Sequence, residues 1–316
     1  MSTFKFPSDY WALILGGSSG FGLATAQKLA RHGMNICIVH RDRRGAMKRI
    51  TPEFESIQAL GVGLVSFNLN ALTPGGINES LDGLQAAMGE RGRVRMLLHS
   101  IAYGNLKLLA PQAGDANAAH AELMQQLSKQ LGVADEELQI VCDELFDAGH
   151  EALVGLASPP TYSDALLQDE DFSLTLHSMG TSLAGWVQSI FERDLFASDA
   201  RVLGLTSEGN EIAWRGYAAV SAAKVALEAI ARSIAVEYAP HGIRANIIQA
   251  GVTDTPALRL IPGSAHMKAV AKSRNPSGRI TTPKDVADFI FLMCQDEAAW
   301  ANGNIIRVDG GEHVSG

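Results

Sequence analysis

The chain has 316 residues, 47% of them hydrophobic, 6% aromatic and 19% charged, with a formal net charge of −8. That balance excludes a disordered or fibrous chain, argues against a general nucleic-acid binder, and provides for a sizeable core. Apolar runs such as Trp11–Leu15 fall far short of the ~20 residues of a membrane span. The amino-terminal text MSTFKFPSDYWALILGG has no basic start, apolar stretch and cleavage site, so no signal peptide is expected. Cys37, Cys142 and Cys294 lie far apart with no C-x-x-C pair. A disulfide framework or zinc ribbon is not expected, and a reducing, cytoplasmic setting fits.

Tyr10–Leu15 reads as a buried parallel strand, and a helix over Gly20–His32 follows, with Leu23, Ala26, Leu29 and Ala30 at helical spacing. Between them runs Gly16-Gly17-Ser18-Ser19-Gly20-Phe21-Gly22. Glycines there let the backbone turn tightly and approach a pyrophosphate seated on the helix N-terminus. A second strand, Asn35–His40, ends where an NAD-binding chain usually carries a ribose-binding carboxylate. Here it ends in His40, followed by Arg41-Asp42-Arg43-Arg44. A guanidinium pairs bidentately with a 2′-phosphate, so Arg41 first and Arg44 second favour NADPH, with Asp42 counting against. After a helix over Gly45–Leu60 and a strand over Gly63–Phe67, Asn68 and Leu69 are expected beside the adenine. Val94–His99 is the fourth strand.

Charge then changes character. Between Pro111 and Thr175 stand thirteen acids and a single base, Lys129, so this segment carries −12 and the rest of the chain +4. Residues 111–171 read as an acidic helical insertion, with helices over His120–Leu131 and Asp135–Gly149 joined at Gly132-Val133. It lies within a single domain spanning 1–316. His120 and His150 stand among its carboxylates, but no ligand spacing converges, so no metal site is expected. Alternation resumes with a helix over Phe172–Asp194, a strand over Arg201–Leu205, a helix over Gly216–Tyr238 and a strand over Arg244–Ile248. A helix over Lys284–Gln295 and a strand over Asn304–Val308 complete it. The expected fold is α/β, a Rossmann-type doubly wound parallel sheet of seven strands with a helical insertion after strand four. From Thr255 to Lys284 the chain holds six bases and no acid, and the part Arg259–Arg279 is expected to form the substrate loop and to steer an acidic carrier inward. The insertion beside it reads as a lid, a competitor for the same arginines, or a solvated hairpin that extends an oligomer contact.

Tyr217 and Lys224 are seven residues apart, close to two helical turns. With LGGSSGFG after strand one, IQAGVTDT after strand six and the closing RVDGG, the chain resembles a short-chain dehydrogenase/reductase over roughly 10–110 and 172–311. Most members of that superfamily place the tyrosine four residues before the lysine, where this chain has Val220. The Tyr-x6-Lys spacing is similar to that of enoyl-acyl-carrier-protein reductases, as is the turn His99-Ser100-Ile101-Ala102. His177 stands where those reductases often have histidine and many other relatives have asparagine. Ser207 and the text TSEGNEIAWRGYAAVSAAK resemble the divergent enoyl reductase III, which uses NADPH.

The resemblance implies reduction of the carbon–carbon double bond of a trans-2-enoyl thioester, on an acyl carrier protein or coenzyme A, in fatty-acid or polyketide-type metabolism. It implies Tyr217, Lys224 and Ser207 as catalytic residues, and Ser100, Ile101, Ala102, Gly251, Val252, Thr255 and Lys224 as cofactor contacts. It also implies a homotetramer. The wider spacing has a physical reason: hydride goes to Cβ while charge gathers on the thioester oxygen two carbons away, so the oxygen's donor must stand farther from the nicotinamide. A 3-ketoacyl or other carbonyl reductase using Ser207, Tyr217 and Lys224 is the alternative. A non-catalytic NADP-binding scaffold or sensor is the third.

Overall fold

The computed structural model describes residues 4–114 and 117–315; Asp115, one of the acids counted above, lies outside them. Seven strands, β1 (Tyr10–Leu15), β2 (Asn35–His40), β3 (Leu64–Asn68), β4 (Arg93–His99), β5 (Phe196–Thr206), β6 (Ile243–Ala250) and β7 (Ile305–Val308), form one parallel sheet in the order β3-β2-β1-β4-β5-β6-β7. Alternation along each strand feeds two cores. Trp11, Leu13, Leu15, Cys37, Val39, Val94 and Leu97 face one side. There they meet α3 (Pro74–Met88), α7 (Ser182–Glu192) and α8 (Ala218–Glu237). Ala12, Ile14, Ile36, Ile38, Met96 and Leu98 face the other. There they meet α1 (Gly20–Arg31), α2 (Met47–Gln58) and α10 (Pro283–Met293). Because both faces are covered, the strands read as near-continuous apolar runs, and this is why they were recognisable in the sequence. No helix among the described residues is long and apolar enough to cross a membrane.

The strand order reverses between β1 and β4, and a crevice opens there at the carboxyl ends of the strands. The Gly16 amide bonds the Val39 carbonyl at 2.8 Å and the Ser100 amide bonds the Leu15 carbonyl at 2.9 Å. Those bonds hold the two turns side by side at the crevice mouth.

Three expectations change. The helix expected over Phe172–Asp194 is two helices, α6 (Asp169–Leu176) and α7, joined by a π-helical turn over His177–Thr181. It starts earlier because Gln168 and Asp171 form a capping box, which takes 169–171 from the predicted insertion. The helix expected from Gly216 begins at Ala218, with Tyr217 at its N-cap. Finally, β5 begins five residues before Arg201.

The insertion is a helical hairpin, α4 (Ala118–Leu131) and α5 (Asp135–Asp147), turned at Gly132, whose φ of 72° suits glycine. Its base is stapled by a bridge between Leu108 and Leu166 and by the Lys107–Asp171 ion pair at 2.8 Å. Its far end packs on α9 (Ser264–Arg274) through Phe146, Ala157 and Ala269, with the Phe146 and His266 rings 5.1 Å apart and Lys272 on Glu151 at 2.7 Å.

Away from the crevice, two arginines stand inside strands. Arg95 and Arg201 are buried and share Asp199, each at 2.6 Å, with Arg244 on the same carboxylate. Removing the shared anion leaves two buried cations with backbone carbonyls only, apart from the Asp296 contact of Arg95. Asp199→Ala should lower the unfolding free energy by about 3 kcal/mol, read from urea unfolding. A loss below about 0.5 kcal/mol would show that the carboxylate is dispensable.

Candidate active site

The loop after β1 can approach its neighbours only because of its glycines. Gly16 has φ +83°, and a Cβ there would lie 2.4 Å from the Ser100 carbonyl oxygen. A Cβ on Gly22 would lie 2.4 Å from the Gly16 carbonyl, so Gly22 lets α1 pack on the loop and does not itself face the crevice. Ser19 is the N-cap of α1 but makes no side-chain cap bond, which leaves the helix's leading amides facing the crevice.

The outer part of the crevice is a cleft of about 440 Å³ lined by Gly16, Ser18, Ser19, Gly20, Phe21, Val39, Arg41, Leu69 and the turn Ser100–Ala102. Its size, the glycine cradle and the free helix N-terminus fit a dinucleotide. Arg41 lies over the Tyr103 ring, 4.5 Å from its centroid, and both line the cleft. The His40 ring nitrogen Nδ1 is 2.8 Å from the Asp42 carboxylate, which also lines the cleft. Two expected contacts are placed otherwise. Arg44 opens an exposed 3-10 turn and does not line the cleft, because the chain turns away after Asp42. Asn68 is spent on the backbone of Asp42, accepting from its amide at 2.9 Å and donating to its carbonyl at 3.0 Å, while Leu69 to Leu72 form the wall.

An inner pocket of about 210 Å³ shares Phe21, Ser100–Ala102 and Thr255 with the cleft. Tyr217, Lys224 and Ser207 line it, as do Gly251 and Val252. The Tyr217 hydroxyl is 3.4 Å from the Ser207 hydroxyl, and Gly209 lets the phenol ring lie close, since a Cβ there would be 2.5 Å from the ring. Burial raises the Tyr217 phenol above its usual range, and the Ser207 hydrogen bond opposes that rise. The Lys224 ammonium donates to the Leu205 carbonyl at 2.8 Å, and burial brings it down to about 8, with Glu228 pulling the other way. Glu228 is fixed in turn by Thr206 at 2.6 Å and Asn210 at 2.7 Å. His99 is fully buried, brought down to about 3 by burial and the Lys224 charge, and sits 2.9 Å from the Ser182 hydroxyl.

Sequence reasoning missed most of the remaining wall. Leu106, Met179, Trp214, Val220, Leu258, Leu260, Ile261 and Met267 make it apolar, and Glu208 and Glu312 add two carboxylates. Glu208 directly follows Ser207 and was open to recognition, whereas the burial of Glu312 depends on the fold. His177 does not line the pocket: its ring bonds the Leu72 carbonyl at 3.0 Å and approaches Thr181 at 3.3 Å. The stretch expected to offer free cations does not. Arg259 and Lys268 pair with Asp254, Lys272 with Glu151, Arg274 with Glu208, Arg279 with Asp285 and Lys284 with Asp288. All five of those partners lie outside the counted stretch: Asp254 just before it, Glu151 in the insertion, Glu208 after β5, and Asp285 and Asp288 in α10.

The family model described as enoyl-(acyl carrier protein) reductase matches residues 152–313, just over half of the chain. The chain is 36% identical over 110 residues to cis-4-hydroxycyclohexanecarboxylate dehydrogenase of Sinomonas cyclohexanicum, covering 35% of this chain and 41% of that protein. It is 33% identical over 120 residues to 1-cyclohexenylcarbonyl-CoA reductase of Streptomyces collinus, covering 37% and 42%. The matched stretch thus spans about two-fifths of the length of these curated relatives. In fold, it is similar to the NADH-named enoyl-acyl-carrier-protein reductase of Aquifex aeolicus, with a TM-score of 0.69 at 22% identity over 97% of both chains. By its glycine-rich crevice and its matched carboxyl-terminal half, this chain belongs to the enoyl-(acyl carrier protein) reductase family of the short-chain dehydrogenase/reductases, oxidoreductases that bind a nicotinamide cofactor.

Proposed function

We propose that this protein uses NADPH to reduce the carbon–carbon double bond of a trans-2-enoyl thioester. The observation that carries the reading is the meeting of Tyr217 and Ser207, 3.4 Å apart, with Lys224 in an apolar pocket that shares one wall with the dinucleotide-sized cleft. Leu106, Met179, Leu258 and Ile261 suit an acyl chain. Val220 fills the position from which a Tyr-x3-Lys tyrosine would act.

A bound reduced nicotinamide would supply hydride. Gly16, Ser18, Ser19, Gly20 and Phe21 would hold the cofactor's phosphates and Leu69 its adenine side. Ser100, Ile101, Ala102, Gly251, Val252 and Thr255 would hold its nicotinamide end. Lys224, kept protonated below about pH 8, would hold the ribose with the donors the Leu205 carbonyl does not use. Tyr217 would donate to the thioester oxygen as negative charge develops there, and Ser207 would hold the phenol in place. The pairing of all six cations between Thr255 and Lys284 weakens the electrostatic ground for preferring an acyl carrier protein, so the proposal is for the thioester on either carrier.

The Ser207–Tyr217 contact also favours a second reading, a carbonyl reductase in which both hydroxyls hold a ketone oxygen. That reading assigns Ser207 as a direct donor.

Two outcomes follow. Tyr217→Phe should lower kcat for an enoyl thioester by roughly two to three decades, the usual loss of one oxyanion donor, with the KM for NADPH little changed. Unchanged turnover would remove Tyr217 from the mechanism. Arg41→Ala should weaken NADPH binding by roughly thirtyfold, about 2 kcal/mol, while sparing NADH, because only the 2′-phosphate pairs with the guanidinium. Equal losses for the two cofactors would contradict Arg41 as the phosphate's partner.

A further inference from the structure

The pocket wall carries two carboxylates, Glu208 and Glu312, that the chemistry above does not use. Arg274 ties them together: its Nη2 lies 2.5 Å from Oε2 of Glu208 and 3.4 Å from Oε1 of Glu312. The remaining oxygen of Glu208, Oε1, points away from Arg274 to Nδ1 of His313 at 3.6 Å. The other imidazole nitrogen, Nε2, lies 3.4 Å from Oε2 of Glu211. Glu211 is anchored by Arg307, whose Nη2 lies 3.0 Å from its Oε1 and 3.4 Å from its Oε2. Glu208 is thus fixed by an arginine on one oxygen and offers the other to Nδ1 of the imidazole, while Glu211 Oε2 stands between Arg307 and Nε2 of the same ring.

The row also has a direction. The Glu211 side chain is 44% exposed, His313 22% and Glu208 13%, so the three run from water to the pocket wall. Glu208 Oε1 and His313 Nδ1 are both buried with no hydrogen-bond partner among the described residues. Buried polar atoms usually have partners, and two orphans facing each other at 3.6 Å are a contact that one proton closes. Imidazole can accept a proton on one nitrogen while releasing one from the other.

Saturating an enoyl thioester takes a hydride at Cβ and a proton at Cα. The hydride comes from the cofactor, so each turnover draws one proton from water into the pocket. We propose that Glu211, His313 and Glu208 conduct that proton, an inference that rests on the reading of the site as a reductase. Glu211 passes a solvent proton to Nε2 of His313, the resulting imidazolium releases its Nδ1 proton to Glu208, and the Glu208 carboxyl gives it up at the pocket. There it restores the Tyr217 phenol or reaches the enolate. No electrons move along the row, and the imidazole returns to neutral after each transfer. Arg274 and Arg307 act as positioning residues that aim the two carboxylates.

The test is steady-state reduction of a trans-2-enoyl thioester by the full chain in H₂O and D₂O, comparing wild type, His313→Gln and Glu211→Gln, with added imidazole. The expected result for His313→Gln is a fall in kcat of about a hundredfold, the lower end for a positioned acid–base group, with KM values within about twofold. The solvent isotope effect on kcat should rise, and imidazole should restore turnover. Glu211→Gln changes an exposed side chain that leaves packing intact and should show the same pattern more weakly. Unchanged kcat and isotope effect in both variants overturn the relay, as does a loss that imidazole does not repair. A wild-type protein inactive on every enoyl thioester overturns the reductase reading first, whereas active wild type with indifferent variants overturns the relay alone.

Discussion

An ammonium taken out of water asks for three acceptors, and the protein gives Lys224 one, the Leu205 carbonyl at 2.8 Å. Much of the molecule keeps that arrangement in place. The β4–β5 pairing sets His99 beside Gly204, so a neutral imidazole, held by Ser182, stands near the lysine without competing for its charge. Glu228, one turn along α8, steadies the cation and is itself immobilised by Thr206 and Asn210 at the end of β5. A buried lysine brought down to about 8 still carries its proton at neutral pH, and the Leu205 carbonyl leaves part of its donor capacity unused.

The same edge of the sheet gathers the rest. Reversal of strand order between β1 and β4 opens the crevice, the glycine cradle lets the chain line it without side chains in the way, and Leu258, Leu260, Ile261 and Met267 wall the inner pocket. The acidic hairpin adds a brace outside that wall. It is stapled near the β4 turn by Lys107–Asp171 and packed on α9 through Phe146 and Ala269, so it links the two walls of the pocket. One of its acids, Glu151, pairs with Lys272 of α9.

What was legible in the sequence follows from locality. The strands were recognisable because burial on both faces demands unbroken apolar runs, and the β1 loop because only glycine tolerates φ +83° at Gly16 with the Ser100 carbonyl so near. Tyr217 and Lys224 shared a pocket as the spacing required, although Tyr217 sits at the N-cap and not on the helix. Other features depend on partners far away in the chain. The buried Arg95 and Arg201 would have argued against strands, and only Asp199 and the carbonyls of the segment around Cys294 make them tolerable. The ion pairs of the basic stretch were hidden for the same reason, since a count within a window cannot see Asp254 or Glu151 beside it. The row from Glu211 through His313 to Glu208 joins residues about a hundred positions apart, and no local pattern reports it.

The central claim is hydride delivery to Cβ of an enoyl thioester. Its most direct test is to supply NADPH deuterated at both C4 positions together with a trans-2-enoyl thioester and the matching 3-ketoacyl thioester, and to locate the label by mass spectrometry. The account predicts a saturated acyl product carrying one deuterium at C3 and an unlabelled C2 proton from water, with the keto thioester untouched. A deuterated 3-hydroxyacyl product beside intact enoyl thioester would contradict it and would make Ser207 and Tyr217 a carbonyl-reducing pair.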